Sequence, residues 1–291
     1  MVFGLLLALL ASALFNVAVA VQALDARTLP REVSLRVSLL VRLLRRRRWR
    51  IGMGLAVAGW PLHAAALGLA PLTAVQPALA AGLLVLLFVA SRTLGEPVGT
   101  REVGAVLLII AGEAGVAWAA PERSGTHSHG AGLIAVLAGL ALIALVPYLF
   151  RHRHAAHGMP AVMSAGVAFA ISGFVTKLVS DDLSSGALFT AWLWADLVGL
   201  AAVVGVLSEN TAFRSRPASQ VAPLVFSLQT VLPVLLAPIV GGEDWGDTPL
   251  GGAAVLIALA AVVAGVVLIG RSRAVDSLIV GHGALVAKAE K

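Results

Sequence analysis

Nine stretches of about 20 predominantly apolar residues run through the chain, each long enough to carry a helix across a bilayer core. They cover residues 2–24, 51–70, 72–91, 102–120, 131–150, 160–180, 186–207, 217–240 and 249–270. In hydrocarbon every backbone N–H and C=O must find its partner inside the protein, so stretches of this kind fold as helices. The fold class is an all-α integral membrane protein with about nine transmembrane helices. Charge is correspondingly scarce: 12% of residues are charged, against about 25% in soluble domains. The absence of cysteine excludes disulfides, thiol nucleophiles and Cys-ligated metals.

The charges fall between the apolar stretches and set an orientation. Residues 25–50 carry nine arginines: Arg27, Arg31, Arg36, Arg42, Arg45, Arg46, Arg47, Arg48 and Arg50. The positive-inside rule puts this segment in the cytoplasm. Every second loop after it is basic, with Arg92 and Arg101, Arg151 and Arg153, Arg214 and Arg216, then Arg271 and Arg273. The loops between them hold Glu122 with Arg123, Asp181 and Asp182, and Glu243, Asp244 and Asp247. The alternation predicts an N-terminus outside, a C-terminus inside and a multi-pass protein of the plasma membrane. The net charge of +6 thus reports topology, not nucleic-acid binding. Stretch 2–24 reads as a retained span, because no basic residue precedes its apolar core.

Residues 33–44 are apolar but carry Arg36 and Arg42. A central arginine costs about 2.5–3.5 kcal/mol on insertion scales, so this segment is expected to lie on the cytoplasmic face. Arg45, Arg46, Arg47 and Arg48 would then meet anionic lipid headgroups.

A second pattern divides the chain in two. Pro71, Pro77, Gly95-Glu96 and Gly104 return as Pro217, Pro223, Gly242-Glu243 and Gly251. The charge pattern makes stretch 72–91 run inward and 217–240 outward, so the copies form an inverted repeat. Such repeats enclose a central site in transporters. The expected division is an N-terminal membrane half at 1–125, a C-terminal half at 126–272 and a mobile cytoplasmic tail at 273–291.

Polar groups inside spans cost free energy and mark candidate sites. Glu113 and Asp196 lie about halfway along their stretches. A carboxyl that gains and loses a proton at that depth is a proton carrier, and an ionised one is a cation site. Trp192 lies one helical turn from Asp196, a pairing that suits an organic cation. His63, Asn16, Gln76 and Gln229 are further substrate or proton-binding candidates. Pro77, Pro223 and Pro233 break helix ladders and are expected to act as hinges or to line the site. The glycines at 54, 59, 132, 139 and 166 are expected to let helices approach closely. The loop histidines, His127 and His129 outside and His152, His154 and His157 inside, have no zinc-ligand spacing. Neither a Walker A sequence, a nucleophile elbow nor an HExxH is present. No enzymatic activity, cofactor or metal centre is expected.

The run from Gly68 to Pro77, followed by Gly95-Glu96 and Gly104, resembles the EamA-like repeats of the drug/metabolite transporter superfamily. Within it, Trp49 to Gly52, Ala70-Pro71 to Pro77, and Ala120-Pro121-Glu122 are similar to the NIPA-type magnesium transporters. This chain has Gly59-Trp60 where that family has Gly-Glu. The resemblance covers about residues 1–125 and implies a permease moving a small solute by alternating access. The superfamily's design has ten helices, and the helix short of ten corresponds to the segment 33–44. A magnesium or other divalent cation transporter and a non-transporting scaffold subunit are the alternatives. The implied partners are the bilayer, a small-molecule or cation substrate, and a second copy of the chain.

Overall fold

The computed structural model describes residues 2–70, 72–119, 130–153, 157–240 and 248–271. Gly242-Glu243, the acidic loop residues Glu122, Asp244 and Asp247, His127, His129 and the tail 273–291 lie outside the described residues. Those described form ten α-helices. They are α1 (Val2–Ala26), α2 (Val37–Leu44), α3 (Arg47–Leu69), α4 (Leu72–Thr93), α5 (Thr100–Ala119), α6 (Ala131–Leu149), α7 (Met159–Ser185), α8 (Leu188–Ala212), α9 (Ala218–Val240) and α10 (Ala253–Gly270). Among the described residues, eight helices are long and apolar enough to cross a membrane. The remaining expected span is α3, which is helical throughout but begins with Arg47, Arg48 and Arg50. The protein is an integral membrane α-helical bundle.

The segment at 33–44 holds only a short helix. A 3-10 turn at Arg31–Val33 leads into α2, whose eight residues span about 12 Å. Leu35 joins the two at φ 54°, a conformation that costs a leucine about 1–2 kcal/mol. Burial of its side chain and a bond from its N–H to the Thr211 hydroxyl (3.1 Å) offset that cost.

Packing reveals two matched sets of helices. α1 lies along α3 and α4, as α7 lies along α8 and α9; α4 meets α5 as α9 meets α10. Thus α1, α3, α4 and α5 correspond to α7, α8, α9 and α10, and α5 and α10 pack on each other. Side chains repeat the correspondence. The Phe15 ring lies on Gly59 between α1 and α3, and the Phe169 ring lies on Gly205 between α7 and α8. Gly59 and Gly205 are as far apart in the chain as Pro77 and Pro223. Neither α6 nor the short α2 has a counterpart, and the gap in the first set lies opposite α6, not at 33–44. The short α2 is therefore an addition between matched helices, and the sequence-based placement of the odd helix is corrected.

Corresponding helices run in opposite directions. At one end of the bundle the turn after α4 bonds to the start of α9, the start of α3 to the end of α8, and His157, two residues before α7, to the turn after α8. The start of α9 also bonds to the last turn of α10. This end carries the described arginines.

Glycines set two of the closest approaches. A Cβ on Gly112 would meet the α10 backbone at 2.7 Å, and one on Gly265 would meet the Ala105 carbonyl of α5 at 2.7 Å. Gly59 and Gly166 also seat neighbouring side chains, whereas Gly54, Gly132 and Gly139 face open space. The last three are not the close-approach residues the sequence predicted.

Candidate functional site

Glu113 is the most deeply placed of the predicted groups. It sits on α5 at 1% exposure, and its Oε1 has no hydrogen-bond partner. A buried acceptor left this way costs about 1–3 kcal/mol. Its carboxyl faces the Thr230 hydroxyl of α9, which donates to the Phe226 carbonyl at 3.0 Å. Glu113 and Thr230 belong to opposite helix sets.

Asp196 is not there. It is exposed on α8, and Trp192 one turn before it is 73% exposed. Both belong to an outward face with Phe189, Leu193 and Leu200. The structure does not bring the two predicted acids together. The pair Asp196–Trp192 shares one helix face, as the spacing requires, but that face points away from the bundle.

His63 is half-buried on α3, with Nε2 unpartnered and its ring edge-on to Phe15 (centroids 6.4 Å apart, 86° between planes). Asn16 is buried and donates to the Ser12 carbonyl (2.9 Å), while the Ser12 hydroxyl donates to the Leu79 carbonyl. The Ser12 bond joins α1 to α4, the Asn16 bond stays within α1, and both side chains lie against Gly82. Gln76 and Gln229 are half-buried.

Pro77 and Pro223 lie inside α4 and α9, and Pro233 further along α9. Each removes the ladder bond to the residue four positions earlier. For Pro223 that residue is Ser219, in the first turn of α9. The amide N–H groups of this same turn are held from outside by Glu96. The Glu96 carboxylate is buried and accepts from the N–H of Ala218 (2.7 Å) and of Ser219 (2.8 Å). Arg27, at the end of α1, pairs with the same carboxylate and donates from Nε to the Phe213 carbonyl (3.2 Å). Gly95 (φ 65°) makes the left-handed turn that aims Glu96 there. The end of α1 and the start of α9, one from each helix set, thus converge on one carboxylate, and Arg27 extends the tie to the turn after α8.

Around it lies a buried polar layer. Asp25 accepts from the Trp49 N–H (2.9 Å), and Trp49 Nε1 donates to Asn210 (3.1 Å). Ser208 bonds to Tyr148 and to Ser164, each at 2.8 Å. Sequence reasoning placed Glu96 only as a repeat marker and overlooked Asn210 and Ser208. The run Ser208-Glu209-Asn210-Thr211, closing an apolar stretch, was the available signal.

A scan against protein-family models finds none that matches the chain, and no curated protein or solved structure matches it.

Proposed function

We propose that the protein is a permease of the drug/metabolite transporter type that moves a small solute by alternating access. In this reading the two helix sets are inverted repeats, the arginine-rich end faces the cytoplasm, and nine helices span the plasma membrane. The observation that carries it is the Glu96 tie. A carboxylate of one set caps the loosened first turn of the other set's α9 at one end of the bundle. Such a contact can break and re-form as the sets rock, closing and opening that end. Solute would reach the bundle interior between the sets when the tie is open.

Glu113 is the proton-carrier candidate. Thr230 has a single hydroxyl proton. Given to Phe226, it leaves an oxygen that only a protonated Glu113 can bond; given to Glu113, it suits the ionised carboxylate. Rotation of one hydroxyl therefore accommodates both states across the α5–α9 contact.

The test is uptake of a candidate solute panel, including divalent ions, into proteoliposomes with and without an imposed proton gradient. Gradient-driven uptake that falls at least about tenfold in Glu113→Gln, and stays near wild type in Asp196→Asn, is expected. Uptake indifferent to Glu113→Gln removes the proton-carrier role. No uptake of any solute, with a stoichiometric partner retained in mild detergent, favours the scaffold reading instead.

A further inference from the structure

Helix α2 has three faces, set by the rotation of about 100° per residue. Leu39 and Leu43, fully buried, press into the main core. Ser38 and Arg42 share a second, exposed face. Val37, Val41 and Leu44 form the third, and they are 67%, 44% and 53% exposed. An apolar edge beside a basic edge, on a helix attached by its remaining face, is the arrangement of an interfacial segment. Arg45 in the turn after α2, and Arg47 and Arg48 at the start of α3, follow this basic face; all are exposed, and with Arg42 they make no ion pair among the described residues.

The surface is held rigidly. Arg214 bonds to Ser34 and to the Leu29 carbonyl (2.7 Å), Leu35 bonds to Thr211, and Arg46 bonds to Thr28 (2.9 Å). The arginines are therefore displayed from a fixed platform at the ends of α1, α3 and α8, where the bundle leaves the membrane.

We propose that α2 and the first turn of α3 form a docking surface for anionic phospholipid headgroups. The phosphates meet Arg42, Arg45, Arg47 and Arg48, and the upper acyl chains cover Val37, Val41 and Leu44. Charge and hydropathy together select the occupant: a soluble phosphate leaves the apolar edge in water, and a zwitterionic lipid leaves the four arginines uncompensated. The inference concerns lipid selectivity and stands apart from any transported solute.

The experiment uses the full chain in neutral detergent and follows its thermal unfolding midpoint. Added phosphatidylglycerol is compared with phosphatidylcholine and with glycerol phosphate lacking acyl chains. Phosphatidylglycerol is expected to raise the midpoint by several degrees, since a ligand of the folded state stabilises by mass action. The gain shrinks with added salt; the other two additives give none. In Arg42→Gln/Arg48→Gln the affinity for phosphatidylglycerol drops about twentyfold to thirtyfold, roughly fivefold for each arginine. An unchanged affinity in that variant overturns the proposal. So does an equal gain from phosphatidylcholine, or from glycerol phosphate, which would mark a soluble anion site. Should the double variant fail to fold, the lipid selectivity and salt dependence of the wild-type protein decide alone. Neither reading involves transport, so failure here leaves the permease proposal untouched.

Discussion

Both oxygens of Glu96 are occupied, and each partner lies far away in the sequence. Oε1 meets Arg27 and the Ala218 N–H, and Oε2 meets the Ser219 N–H. Glu96→Gln keeps the shape but withdraws the charge, leaving Arg27 and two amide donors facing a neutral group. A loss of about 3 kcal/mol is expected, because breaking a buried pair strands its other half. Arg27→Met should cost less, about 1.5–3 kcal/mol, since the carboxylate keeps its amide donors. Thermal unfolding of both single variants and the double variant measures the coupling, expected at about 0.5–3 kcal/mol. Purely additive losses would mean the two side chains act separately. The sequence marks Glu96 through the repeat of Gly-Glu, but nothing local encodes a partner at Ser219. Asp196 fails for a related reason. Its depth is legible from the span, but its facing is not, because α8 is apolar on every side and offers no polar stripe to orient it.

At the scale of elements, backbone proximity decides more than side-chain chemistry. The α5–α10 contact is closed by glycines from both partners, Gly112 against the Val262 backbone and Gly265 against the Ala105 carbonyl. Neither neighbour can swing aside as a side-chain tip would. Gly112→Val and Gly265→Val should each cost about 1–3 kcal/mol as the helices are forced apart. Gly139→Val, whose site is open, should be neutral within about 0.5 kcal/mol. Unfolding midpoints of the three variants in one detergent make the comparison. Equal effects would show that helix propensity, not packing, governs these positions. The helices themselves were readable from hydropathy, and so was the interruption of the segment at 33–44 by its arginines. Which glycines carry the packing was not, since thirty are scattered through the chain and contact partners come from distant helices.

For the whole molecule, the antiparallel matching of the two sets makes a topological prediction that needs no substrate. Thr93 closes α4 at the arginine-rich end, beside the Glu96 tie. Ser185 closes α7 at the far end, capped by Gly186 at φ 80°. Both side chains are exposed. Because the chain has no cysteine, Thr93→Cys and Ser185→Cys each provide a single label site. In intact cells an impermeant maleimide should react with Ser185→Cys alone; in inside-out vesicles it should react with Thr93→Cys alone. Labelling of both from one side would place the two ends of the bundle in one compartment and dismantle the alternating-access reading. A third reporter tests movement. Ala222 is buried one turn into α9, behind the Glu96 cap. Ala222→Cys should react slowly in inside-out vesicles while the tie holds. It should react at least about tenfold faster when Glu96→Ala is added, since losing roughly 1.4 kcal/mol of closure shifts the open population tenfold. An unchanged rate in a folded double variant would make the tie a static brace, and the opening would then lie elsewhere in the bundle.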